Sequence, residues 1–267
     1  MIGTTRRTRL LTSAALAALL SLSAAGCASR GPEITGSVGA SAATTESDWR
    51  REAEIWGERY RKNQGDAEAA VRYAAALRAT AQRSQAVAVL EQSSIMNPKN
   101  TSVLGAYGRA LADVGRHKQA LDVLGRAHTP DQPDWRILSA QGAVLDQMGR
   151  HEEAQRHYSS ALKMVPDEPS VLSNLGLSYA LAKDLPKAEQ TLRRASTNRA
   201  AEPRVRQNLA LVVGLQGRFP EAEEIARGDL SDEEAMANVA YLRQMLAKND
   251  WKKLRSAEGP LKQAGRI

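Results

Sequence analysis

The chain has 267 residues, of which 42% are apolar, 4% aromatic and 25% charged, with 37 basic against 30 acidic side chains. Three of the basic residues, Arg6, Arg7 and Arg9, stand before Cys27 with no acid among them, so the remainder carries only +4. With acidic and basic residues interleaved beyond that point, the balance excludes a nucleic-acid groove and describes a solvated surface. So few aromatics beside abundant Ala suit closely packed helices better than a β-sandwich.

Residues 1–26 read as an export signal: a basic start, an apolar stretch from Leu10 to Leu22, and small residues after it. The stretch is too short to span a bilayer as a stable helix, which points to cleavage rather than anchoring. Cys27, the single cysteine, follows Ser23-Ala24-Ala25-Gly26. The motif resembles the lipobox of bacterial lipoproteins, departing from it at Ala24 where Leu is usual. The resemblance implies lipidation of Cys27, and Ala28 in place of Asp implies sorting to the outer membrane. Acyl chains contribute about 0.8 kcal/mol per buried methylene, so several on one cysteine would hold the chain to a bilayer. Residues 27–45 form the lipidated, flexible tether, rich in Gly, Ser, Ala and Thr, with a reach on the order of 20–25 Å.

A helix is expected over 46–66, with Ser47 as N-cap. Trp49, Ala53, Trp56 and Tyr60 share one face of it and can cover the open end of an array that begins at residue 67.

Residues 67–236 repeat with a period of 34. Ala86, Ala120, Ala154, Ala188 and Ala222 mark the twentieth place of units 67–100, 101–134, 135–168, 169–202 and 203–236. The eighth place is Ala74, Gly108, Gly142, Gly176 and Ala210, small enough for a partner helix to approach, with the alanine at place twenty as the answering small residue. Large side chains recur at place seven (Tyr73, Tyr107, Leu175, Leu209), at place eleven, and at place twenty-four (Leu90, Leu124, Tyr158, Leu192). Pro98 and Pro166 stop the second helix of their units, and Gly115, Gly149 and Gly217 fall near the turn between paired helices. This frame resembles the tetratricopeptide repeat, a 34-residue helix–turn–helix unit. The fourth place never holds the family's Trp, and the fifth unit loses its frame after Ala226. The resemblance implies an all-α protein, a right-handed α-solenoid of helical hairpins with N- and C-terminal capping helices.

Ser231 and Glu234 have the spacing of a capping box. They open a closing helix over 231–248, with Ala235, Val239, Leu242 and Leu246 as its apolar stripe. The tail 249–267 is basic.

No phosphate loop, nucleophile elbow or zinc helix is present, so no enzymatic activity and no cofactor are expected. His117 and His151 hold equivalent places, but no carboxylate stands at ligand spacing beside them in sequence, so no metal site is expected; His128 and His157 show no pattern. What remains is binding. The family implies that the first helix of each hairpin lines the concave side, which assigns protein binding to Arg109, Arg136, Asn174, Leu177, Arg204, Asn208 and Leu211, with Arg78, Ser139, Asp146 and Gln207 beside them. Asn174 and Asn208 occupy one place in successive units, where peptide-binding members use an asparagine to pair with the ligand backbone.

The segments Trp56-Gly57-Glu58-Arg59-Tyr60, Tyr73-Ala74-Ala75-Ala76-Leu77-Arg78 and Asn238-Val239-Ala240-Tyr241-Leu242-Arg243 carry a narrower resemblance, to the tetratricopeptide lipoproteins of tight-adherence (Flp) pilus machines, the TadD-like group. It implies a pilotin-like assembly factor on the periplasmic side of the outer membrane. Its partner would be the secretin or another pilus component, its membrane contact a lipid anchor, with neither nucleic acid nor small-molecule substrate. A general envelope or secretion scaffold, or a lipoprotein partner of a cell-wall enzyme, are the alternatives.

Overall fold

The computed structural model describes residues 45–129 and 131–247. The signal segment, Cys27, nearly all of the tether and the basic tail lie outside the described residues. Within them the chain forms α1 (Glu46–Lys62), α2 (Ala67–Ala79), α3 (Arg83–Met96), α4 (Thr101–Asp113), α5 (His117–Arg126), α6 (Trp135–Gln147), α7 (His151–Met164), α8 (Pro169–Leu181), α9 (Leu185–Ser196), α10 (Pro203–Leu215), α11 (Phe219–Ala226) and α12 (Asp232–Ala247).

Each hairpin starts and turns by the same local chemistry. The last place of one unit caps the first helix of the next: Asp66, Asn100, Asp134 and Glu168 each accept a backbone N–H from the opening turn of α2, α4, α6 and α8. Glu202 holds that place before α10 and pairs with Arg204 instead. At the turn, place fifteen is left-handed in all five hairpins: Gly115, Gly149 and Gly217 have φ of 79°, 76° and 83°, and Ala81 and Lys183 have 62° and 69°. The next N–H closes back on the carbonyl five residues earlier, as Arg116 to Leu111 and Arg150 to Leu145 at 2.9 Å, the Schellman arrangement.

Pairing within a hairpin rests on place eight. A Cβ on Gly108, Gly142 or Gly176 would lie 2.4–2.6 Å from Leu124, Tyr158 or Leu192, the large residue at place twenty-four. The small residue therefore makes room for a bulky side chain, while the backbone of Ala120 or Ala188 comes to 3.3 Å. The place-twenty alanines are fully buried, as are Leu124, Tyr158 and Leu192.

Between hairpins, α2 packs on α4, α4 on α6, α6 on α8 and α8 on α10, whereas the second helices meet chiefly the first helices on either side. A stack crowded on one side curves toward that side, so α2, α4, α6, α8 and α10 line the concave face of an α-solenoid.

Both ends are covered. The N-cap of α1 is Thr45, not Ser47, because Thr45 and Asp48 exchange side-chain and backbone bonds in a capping box. The guanidiniums of Arg59 and Arg72 stand over the Trp56 ring, 5.1 and 5.7 Å from its centroid, and the Tyr60 ring packs at 6.0 Å from that of Tyr73. At the other end α11 is cut to eight residues, and α12 lies over α10 and α11 with Ala235, Val239, Leu242 and Met245 buried. Met245 thus takes the fourth place expected of Leu246, which is half-buried.

Candidate functional site: the concave face

Residues three or four apart on the first helices share the face that reaches the concave side, and their partners decide which of them can meet a ligand. Arg136, at the start of α6, is exposed, with its guanidinium 4.4 Å from the Trp135 ring centroid and its backbone N–H donating to Asp134 Oδ1 at 2.7 Å. Arg109 on α4 is half-buried; its Nη1 lies 3.6 Å from where a Cβ on Gly105 would stand. Arg204 on α10 pairs through Nε with Glu202 at 3.0 Å. Leu177 on α8 is half-buried and retains contactable surface.

The other expected residues are turned to the stack itself. Asn174 donates to Ser139 Oγ at 3.3 Å and Asn208 to Ser173 Oγ at 3.0 Å, each reaching back to the preceding first helix. Leu211 is 7% exposed, so it contributes packing on α10 rather than open surface. Arg78 is joined to Asp113 at 2.5 Å.

Asp146 is the centre of a buried cluster. Its Oδ1 lies 2.8 Å from His151 Nδ1 and accepts from Ser178 Oγ at 2.8 Å; its Oδ2 accepts from the Tyr158 hydroxyl at 3.1 Å. A carboxylate does therefore stand beside His151, contrary to the expectation from sequence, because the glycine turn folds α7 back along α6. Burial pushes the Asp146 carboxyl above its ordinary value, against the three hydrogen bonds. The Tyr158 hydroxyl is driven well upward by burial and by Asp146, so it remains a donor. Ser178 and His151 both face the carboxylate, and Ser178 is fully buried, so the cluster has no serine–histidine relay and no accessible nucleophile. Its chemistry is structural: it ties α6, α7 and α8. Among the described residues no group of three or more histidines, cysteines or carboxylates could hold a metal ion.

Sequence reasoning placed Ser139 on the concave side but missed that it and Ser173 receive the asparagines, although the signal was present: both serines stand at place five, one unit before an Asn at place six.

Residues 139–203 and 203–227 each match a tetratricopeptide repeat model, and residues 50–127 match the model of anaphase-promoting complex, cyclosome, subunit 3. No curated protein matches the sequence. Among solved structures, a chain of the APC/C hetero-tetramer Cut9–Hcn1 is similar over 81% of this chain and 46% of its own, with TM-score 0.61 and 16% identity. This chain thus spans less than half of that one. PilW, described as a widely conserved type IV pilus biogenesis factor, is similar over 73% of this chain and 91% of its own, with TM-score 0.59 and 15% identity. PilF of Pseudomonas aeruginosa is similar over 72% and 90%, with TM-score 0.53 and 16% identity. At such identities the likeness is one of fold. The repeat models fall on α6 to α11, on the same capped hairpins with their place-eight contacts, and the chain is a tetratricopeptide-repeat protein built as an α-solenoid.

Proposed function

We propose that the chain is a non-enzymatic adaptor lipoprotein that assists assembly or localisation of an Flp pilus machine, holding a segment of the outer-membrane secretin or another pilus component on its concave face. The observation that carries the binding role is the unbroken row α2, α4, α6, α8 and α10, which gives one continuous surface with Arg136 and Leu177 accessible on it. The pilus context is supported by the narrower sequence resemblance and by the fold shared with PilW and PilF. Lipidation at Cys27 would fix the protein to the periplasmic face of the outer membrane and the tether would give it reach. Attachment raises the effective concentration of the second contact, so the groove need bind only weakly alone.

The test is a pull-down from the cell envelope with the acylated protein, beside an Arg136→Glu/Leu177→Asp variant and a Cys27→Ser variant. Retention of a secretin or pilus component, lost in the groove variant at unchanged helicity, supports the reading. The Cys27→Ser variant should keep the partner but leave the membrane fraction. Recovery of wall enzymes with no pilus component, from a strain expressing the pilus, overturns it.

A further inference from the structure

The five hairpins are not joined alike. From the third hairpin to the fourth, and from the fourth to the fifth, an Asn on the later first helix donates to a Ser on the earlier one, Asn174 to Ser139 and Asn208 to Ser173. Val171 and Val205, three residues before those asparagines, are buried in the same steps. From the second hairpin to the third, the three corresponding places hold Gly105, Ile137 and Ala140. Ile137 takes the room a serine would need, since a Cβ on Gly105 would lie 2.7 Å from its Cδ1. At these three places an apolar contact, which fixes distance but not register, stands where the later steps have a directional bond.

Other features fall on the same step. The second helix α5 has 10 residues where α3 and α7 have 14, so less of it is available to pack on α6. The linker 127–134 after it is longer than 97–100 or 165–168. Nδ1 of His128 on that linker, Nδ1 of His157 on α7 and Oε1 of Gln141 on α6 are buried without a hydrogen-bond partner among the described residues. Buried polar groups of this kind are unfavourable, and the penalty is relieved when water reaches them.

We infer that the step between the second and third hairpins is the joint of the solenoid, about which α1–α5 and α6–α12 move as two blocks, changing the curvature of the concave face. The Arg78–Asp113 pair holds the first step and the Asn–Ser pairs hold the last two, so bending concentrates between them.

Spin labels on the full chain carrying Cys27→Ser test this. One pair, Ala88→Cys and Ser159→Cys, spans the first two steps; the other, Ser159→Cys and Glu224→Cys, spans the last two, all on exposed sites of second helices. The first pair should give the wider distance distribution, and Gly105→Ser/Ile137→Val/Ala140→Asn, which installs the arrangement of the later steps, should narrow it. Equal widths in the parent chain, or a wide distribution untouched by the triple variant, overturn the inference. Should the triple variant fail to fold, Ser139→Ala/Ser173→Ala decides: widening of the second pair supports the joint, and no change overturns it.

Discussion

The Tyr158 hydroxyl donates to Asp146 Oδ2 across 3.1 Å, so the largest fully buried side chain of the array rests its polar end on a carboxylate from the facing helix. Asp146→Ala would leave that hydroxyl and Ser178 unsatisfied in the interior, a loss of about 2–4 kcal/mol. Asp146→Asn keeps an oxygen for Ser178 and offers an amide to the tyrosine oxygen, and should stay within about 1 kcal/mol of the parent at pH 7. The pH dependence has a definite sign. Asp146 binds its proton more readily folded than unfolded. That contribution is fully present below the ordinary carboxyl value of 3.8 and is lost as pH rises through the raised native value. The parent should therefore gain on Asp146→Asn as pH is lowered. Urea midpoints of both chains at pH 7 and pH 4.5 check this; a difference independent of pH would contradict it.

Lys183 occupies the left-handed turn position that glycine holds in three other hairpins. A side chain there costs about 1–2 kcal/mol, of which glycine's greater unfolded freedom returns ~0.4–1. Lys183→Gly should accordingly raise stability by about 0.5–1 kcal/mol, and Ala81→Gly by a similar amount. Gly149→Ala should lower it by about 1 kcal/mol. Thermal unfolding of the three single variants orders them, and a destabilised Lys183→Gly would show that the lysine side chain outweighs its backbone strain.

Two glycines separate close approach from mere presence. A methyl on Gly142 would fall 2.6 Å from the Tyr158 ring, which is fully buried, so Gly142→Ala should cost about 1–3 kcal/mol and disturb the Asp146 cluster. Gly125 lies in α5 with nothing within 4 Å of the same position, so Gly125→Ala should stabilise by roughly 0.5–1 kcal/mol. Denaturant titration of both variants should give opposite signs; equal signs would mean that helix propensity alone governs both.

The hairpins were legible because one physical demand repeats in each unit, a small place eight answered by the alanine at place twenty, with a glycine near the turn in three of the five; the caps at the last place were not read from the sequence. The two departures at place fifteen, Ala81 and Lys183, were not legible, since neither residue type announces a positive φ. The site was legible in part. Position in the repeat puts a residue on the first helix, but whether it meets a ligand or a neighbouring repeat depends on what stands one unit away. Arg136 meets its own neighbours Trp135 and Asp134, whereas Asn174, Asn208 and Asp146 find serines on the adjacent first helix. His151 meets Asp146 across a turn that brings residues five apart into contact, a proximity set by the Schellman geometry rather than by helical spacing.

A second carboxylate responds to acid in the opposite sense. Glu189 on α9 is burdened by burial, but accepts hydrogen bonds from Gln216, Arg218 and Arg193, each at 2.7 Å, which together hold its carboxyl at about 2. Gln216 and Arg218 belong to the turn between α10 and α11, so this one side chain fastens the fifth hairpin to the fourth. Because the folded value is depressed, the stabilisation is fully present above the unfolded value near 4.5 and is lost as pH falls through that value toward 2. Glu189→Gln retains an acceptor but no charge, so it should be less stable than the parent at pH 7, with the difference shrinking as the pH is lowered below 4.5. Added salt should reduce the difference at pH 7, since the arginines remain partly exposed. Denaturation midpoints of the two chains between pH 7 and pH 3 provide the measurement. A constant difference across that range would mean that Glu189 serves by shape and hydrogen bonding alone, and that the fourth and fifth hairpins are held together without help from its charge.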